Sequence, residues 1–390
     1  MKSDSFSCSA CGRGYPIGTT HFRCGCGGTF KINRSGRPLP ISSLKDREKS
    51  IWRYREALPI TNESNIISLG EGFTPLIPFP YKDFEKVLIK LDYVCPTGSF
   101  KDRGSSVLIS KLKELGIKNC IVDSSGNAGA SIAAYTSRAG IGCEVYCPAH
   151  TSEGKLIQIS AYGAKLIKIP GTRAETALAI QEKAAKVYYA SPNWNPFFVE
   201  GVKTMAFEIS EQLGWKTPDV ILCPTGYGGV FIGLYYGFKD LLDQGVVDKI
   251  PRLIGVQSEA ISPIYKAFSQ KTVEIKEVPS KDTLAEGIGC VRPIKGREIL
   301  EIAQLTRGGF EIVSEMEIIQ GWKELSQRGV YVEPTSAVVV KAIDRLTNKG
   351  LLNQKDNIVL VLTGSGLKAT KKLAKYVTRK IEEVNNGSWY

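Results

Sequence analysis

The stretch PTGSFKDRG, residues 96–104, sets Lys101 between a Gly/Ser turn and the start of an amphipathic segment. Gly98 and Ser99 permit a tight turn, Phe100 can exclude water, and Asp102 and Arg103 can cap and charge-balance a first helical turn. A lysine held in this way is a candidate Schiff-base nucleophile. Taken by itself it fits an ordinary solvated lysine at a helix start equally well, because most lysines are exposed. The remainder of the chain decides between the two.

Three further small-residue turns follow downstream, each preceded by a short apolar run. SSGNAGAS (124–131) comes after Cys120-Ile121-Val122 and before an Ala/Ile-rich helical pattern. Ser124, Ser125, Gly126, Asn127 and Ala128 therefore sit at a helix N-terminus, where free amides can hold an anion. VILCPTGYGGVFIG (220–233) places Thr225, Gly226, Tyr227, Gly228 and Gly229 in the same context, and small residues let several amides point at one phosphate. NIVLVLTGSGLK (357–368) reads as a buried strand closing on Thr363-Gly364-Ser365-Gly366. Each turn alone is an ordinary strand-to-helix connection, and none carries the spaced dinucleotide fingerprint.

In this order the four motifs resemble those of fold-type II pyridoxal-phosphate enzymes, particularly the threonine synthase branch, and EGFTPL (71–76) and EPTSA (333–337) match family strings as well. The resemblance implies that Lys101 holds pyridoxal 5'-phosphate and is the catalytic base. It implies that Asn127 bonds the cofactor's phenolic oxygen, that Thr225–Gly229 cradle its phosphate, and that Thr363 meets the ring nitrogen. Residues 124–128 would grip the substrate carboxylate. A neutral hydroxyl at the ring nitrogen limits the electron sink and suits elimination or replacement better than transamination. The implied reaction converts O-phosphohomoserine and water to threonine and phosphate. A β-replacement on O-phosphoserine, as in cysteate or cysteine synthases, or a serine/threonine dehydration needs the same cofactor and lysine.

SPNWNPFFVEGVKT (191–204) bears on that choice. It keeps the family's Asn195, Glu200, Gly201, Lys203 and Thr204, but lacks the basic residue near Phe198 and the Asn-Ser pair near Pro192 and Asn193 that the resemblance implies for binding the substrate phosphate. Lys155 and Arg173 are candidate substitutes, while Trp194, Phe197 and Phe198 fit core packing as well as substrate contact.

The first residues carry a second chemistry. Cys8-x-x-Cys11 and Cys24-x-Cys26, with glycines beside them, have the spacing of paired knuckles that converge four thiolates on a structural Zn2+. Four protein ligands leave no open position for water, so the expected role is structural. Unpaired N-terminal thiols are the alternative. The other six cysteines fall mostly in apolar runs and read as small buried hydrophobes.

At 390 residues with 43% hydrophobic content, the chain can build two or three sizeable cores, and it contains no apolar run long enough to span a membrane. Ten cysteines without a secretory leader predict the cytoplasm. The net charge of +12 admits a basic zinc-ribbon RNA binder as the rival from another class, but basic and acidic residues interleave without a basic-aromatic stripe. The expectation is no nucleic acid, no membrane, and a surface field that favours anionic substrates. His21 and His150 do not suggest a hydrolytic triad.

From about residue 85, short apolar runs alternate with helical patterns, which predicts an α/β fold with largely parallel sheets. Combined with the resemblance, the expected architecture is tryptophan synthase β-like. A zinc-ribbon module (1–33) and a linker or wrapping arm (34–50) would precede a large domain (51–105 and 206–380) and a small mobile domain (106–205). The family commonly forms homodimers.

Overall fold

The computed structural model describes residues 4–34, 38–151, 153–171 and 173–377, without the side chains of residues 154, 155, 173 and 174. The chain opens with β1 (Ser5–Cys8), β2 (Gly14–Pro16) and β3 (Phe30–Asn33), followed by β4 (Leu76–Pro78), β5 (Lys86–Leu91) and helix α1 (Lys101–Glu114). Next come β6 (Asn119–Val122), α2 (Asn127–Ala139), β7 (Gly142–Pro148), α3 (Glu153–Ala161), β8 (Lys165–Ile169), α4 (Arg173–Lys183) and β9 (Tyr188–Tyr189). Then α5 (Pro196–Val202), α6 (Thr204–Gln212), β10 (Val220–Pro224), α7 (Gly229–Asp243), β11 (Arg252–Ser258) and α8 (Pro263–Ser269) follow. The last major elements are α9 (Gly296–Leu305), β12 (Gly309–Val313), α10 (Glu315–Ser326), α11 (Pro334–Asn348) and β13 (Asn357–Leu362).

Three sheets result: an antiparallel β2-β1-β3, a six-stranded β12-β11-β10-β13-β5-β4, and a four-stranded β8-β7-β6-β9. In the largest, only the edge strand β4 runs antiparallel, and all pairings in the four-stranded sheet are parallel. The unbroken apolar run of β13 suits its central place between β10 and β5, where Ile358 through Leu362 are fully buried. Each such side chain contributes about 1.5–3 kcal/mol on burial.

The N-terminal sheet joins the main core rather than standing apart. Phe6 stacks on Phe30 at 5.4 Å and meets Phe197 of α5 at 5.3 Å. The segment that follows it buries Leu39 and Leu44, and the Leu39 amide donates to Gln244 at the end of α7. Trp194 faces Phe22, and Phe197 and Phe198 are core residues. Among the described residues no helix is long and apolar enough to cross a membrane.

The turns singled out in the sequence follow the carboxyl ends of β5, β6, β10 and β13. Parallel strands deliver their outgoing turns to one edge, which is where open α/β sheets bind ligands.

Candidate active site

Lys101 is the first residue of α1, and the turn before it is closed from two sides. Gly98 adopts φ +83°, and a Cβ there would lie 2.9 Å from the Lys368 side chain. The Phe100 amide donates to the Thr363 carbonyl at 3.0 Å, and the Ser365 amide donates to the Gly98 carbonyl at 2.9 Å. The turn after β13 is thus zipped onto the turn before Lys101. Asp102 does not cap its own helix: its carboxylate accepts from the Thr97 amide (2.7 Å), the Thr97 hydroxyl (2.6 Å) and Ser131 (2.6 Å), which fixes the turn from inside. Burial pushes its pKa up to about 6 despite those donors. The Lys101 Nζ lies 4.6 Å from the Phe100 ring centroid and 5.7 Å from that of Phe198.

Arg103 does not charge-balance its own helical turn. It is fully buried, with Nε and one terminal nitrogen each 2.7 Å from the Asp92 carboxylate and a bond to Glu208 at 2.7 Å. Lys90, also fully buried, reaches Glu208 at 2.8 Å and the Thr74 carbonyl at 2.8 Å. Burial raises the pKa of Glu208, but the Arg103 and Lys90 charges prevail and hold it at about 2. This ion network anchors α1 from beneath, while close packing of Gly104 on the Phe198 ring and of Gly201 on the Arg103 carbonyl fixes α1 against α5.

Above it, one cleft is lined by Lys101, Ser124, Asn127, Ala128 and Tyr227, together with Asp123, Asn193 and the 286–289 turn. The Asn127 amide donates to the Glu333 carboxylate at 3.1 and 3.3 Å. Burial raises the Glu333 pKa, while Asn127, Lys368 and Lys101 oppose the shift. Thr363 is buried behind this pair, with its hydroxyl 3.1 Å from Ser336, whose oxygen also accepts the Thr363 and Gly364 amides. Thr225 does not offer a donor to the glycine turn as the sequence suggests: it is fully buried, its hydroxyl donates to the Cys223 carbonyl and its amide to the Val256 carbonyl at 2.9 Å, which leaves the amides from Gly226 onward.

Three helices begin at this cleft, and none has a side-chain cap: α1 after Phe100, α2 after Gly126 and α7 after Gly228. A Cβ added at Gly126 or at Gly229 would meet nothing within 4 Å. Open space therefore stands before two sets of helix-terminal amides, whose natural complement is an anionic group. This fits a ligand set that carries anionic groups.

Sequence reasoning left Glu333 and Ser336 without roles, although EPTSA had been singled out. It gave no sign of Asp123, which accepts from the Tyr189 hydroxyl at 2.6 Å, or of Glu286 and Gly287. The candidate phosphate ligands Lys155 and Arg173 lie outside the described side chains, and Phe198, near which the expected basic residue is missing, is 1% exposed.

The four N-terminal cysteines also converge. Their sulfurs lie within 4.8 Å of one another, with Cys8–Cys26 at 3.5 Å and Cys11–Cys24 at 3.7 Å. The Tyr15 hydroxyl, 3.0 Å from Cys24, holds that thiol's pKa down at about 6.

A sequence profile of the family described as pyridoxal-phosphate dependent enzyme matches residues 67–364. A threonine synthase of Methanocaldococcus jannaschii is 35% identical over 93% of this chain and 92% of its own. One of Methanosarcina acetivorans is 32% identical over 93% and 91%. Among solved structures, a processed threonine deaminase isoform from Solanum lycopersicum superposes with TM-score 0.66 at 22% identity, covering 78% of this chain and 84% of its own. Maize serine racemase gives TM-score 0.66 at 20% identity over 85% and 98%. At these identities the solved structures speak for the fold.

Proposed function

Since this chain belongs to the pyridoxal-phosphate-dependent enzymes, in their threonine synthase branch, we propose that its cleft converts O-phosphohomoserine and water into threonine and phosphate. The observation that carries the reading is the gathering of Lys101, Asn127 and Tyr227 around one cleft, with Thr363 directly behind the turn that presents the lysine. When bound there, pyridoxal phosphate supplies an electrophilic carbon for amines and a ring that withdraws electrons from the substrate's Cα.

The chain's own groups do the rest. Lys101 holds the cofactor and, with its amine free beside the substrate, moves protons at Cα and Cβ. The amides of Gly226, Tyr227, Gly228 and Gly229 would hold the cofactor phosphate at the start of α7, while Thr225, whose amide is bonded to the Val256 carbonyl, fixes the turn behind them. Asn127, whose amide donates to Glu333, would hold the cofactor through its phenolic oxygen, and Thr363, whose hydroxyl pairs with Ser336, would meet the ring nitrogen. Ser124, Ser125, Gly126, Asn127 and Ala128 receive the substrate carboxylate on the amides that open α2. Phe100 and Phe198 keep water from the Lys101 amine.

Structural Zn2+ at Cys8, Cys11, Cys24 and Cys26, making the first sheet a zinc ribbon, belongs to the same reading. A tetrahedron with bonds of about 2.3 Å has sulfur–sulfur edges of about 3.8 Å, near the separations found here. A smaller unit within residues 106–205 is supported by the separate four-stranded sheet, whose strands run from Asn119 to Tyr189. The ten free thiols support a reducing, cytoplasmic compartment.

The test is phosphate release from O-phosphohomoserine by the cofactor-loaded protein, with the amino-acid product identified. Threonine with stoichiometric phosphate supports the reading. Phosphate release from O-phosphoserine with a sulfur nucleophile, and none from O-phosphohomoserine, replaces it with β-replacement.

A further inference from the structure

A second cavity, of about 590 Å³, lies between β3, α5, α7 and the start of α9, and it shares no lining residue with the catalytic cleft. Its volume is in the range of small-molecule sites, about 300–1,000 Å³. Its walls carry four acids, each with a basic partner. Glu200 and Asp240 are held by Lys203 at 2.6 and 2.8 Å, and Asp243 is held by Lys239 at 2.6 Å. Glu298 is 3.1 Å from Lys31 and also accepts from the Tyr236 hydroxyl.

Lys295 is the exception. It is 8% exposed, lines the cavity, and among the described residues its ammonium has no hydrogen bond or ion pair. We propose that this cavity is a second ligand site, which takes a small oxyanion whose phosphate or carboxylate group pairs with Lys295. A buried ammonium without a partner is destabilising, and an apolar side chain of similar length would relieve that cost. An arriving anion relieves it equally, and the uncapped start of α9 beside Lys295 adds its dipole to the attraction. Burial lowers the pKa of Lys295, with Lys31 adding to the effect and Glu298 opposing it, which is the state an anion would reverse.

The test compares wild-type holoenzyme with Lys295→Met in thermal melts, titrating inorganic phosphate in one series and malonate in another. Without anion, the variant should melt no lower than wild type. Added anion should then raise the wild-type melting temperature by at least ~2 °C more than that of the variant, and the rise should saturate. Phosphate bound in the catalytic cleft shifts both proteins alike and cancels. A rise with phosphate assigns the site to phosphate-bearing ligands, and one with malonate alone assigns it to carboxylates. Equal shifts in both proteins for both anions overturn the proposal. Acetylation of wild-type holoenzyme, followed peptide by peptide, needs no variant. Either anion should slow modification at Lys295 and not at Lys239, and if neither does, the proposal fails.

Discussion

Lys101 and Arg103 are two residues apart on one helical turn, yet they serve opposite environments. Around Arg103 every charge is matched: Asp92, Glu208 and Lys90 close a dry network. Around Lys101, α1, α2 and α7 all begin without side-chain caps, and Gly126 and Gly229 leave open space before the amides of α2 and α7. Helices with other duties are finished locally. Ser314 and Glu317 form a reciprocal capping box on α10, and Asn195 caps α5. Satisfied groups give rigidity and unsatisfied donors give binding. The molecule sets the second directly upon the first.

The contrast breaks most completely at Lys101. Lys101→Ala should lower turnover by ~10³-fold or more, read by phosphate release, while circular dichroism and urea midpoint stay near wild type. Undoing the lower half should cost stability instead. Arg103→Leu leaves two buried carboxylates short of their partner and should lose about 3–5 kcal/mol in urea unfolding. Arg103→Lys should not restore it, because one ammonium cannot reproduce the two-sided fork.

Acid probes the same network without mutation. Glu208, held at about 2 against an ordinary 4.5, contributes stability that is complete above about pH 4.5 and disappears as the pH falls toward 2. The loss should be on the order of 3 kcal/mol, followed by urea unfolding across that range. Asp102 has the opposite sign. With its pKa raised, its contribution is largest in acid and declines as the pH rises from about 4 toward 6.

The smallest effects concern caps. Ser314→Ala on α10 should cost about 1 kcal/mol and leave turnover unchanged. Gly126→Ser, which supplies α2 with the cap it lacks, should gain a few tenths of a kcal/mol while weakening cofactor-loaded activity. A more stable and fully active Gly126→Ser enzyme would break the link between open helix ends and function.

Much of this was legible in the sequence, because strands and turns write local signals. Continuous apolar runs marked β6, β10 and β13, and Gly/Ser clusters marked the outgoing turns that carry Lys101, Asn127 and Gly226–Gly229. The Cys8, Cys11, Cys24 and Cys26 spacing likewise pointed to one cluster. Asp102 and Arg103 were expected to cap and charge-balance the first helical turn, and they do neither, because their partners lie far along the chain or behind the turn: Glu208 is 105 residues from Arg103. Glu333 was passed over for a similar reason, since its meaning depends on an Asn127 amide 206 residues away.

The sequence by itself determined the alternating α/β plan, the lysine with its turn, and the three small-residue motifs, because each depends on backbone preferences and periodicity within a few residues. Only the tertiary structure decided that the turn at 363–366 locks onto the turn at 98–100, that Thr225 turns its hydroxyl into the sheet, and that Lys295 is left without a partner among the described residues. Those outcomes depend on which distant groups meet and on what burial then costs them, and neither is encoded in any short stretch of chain.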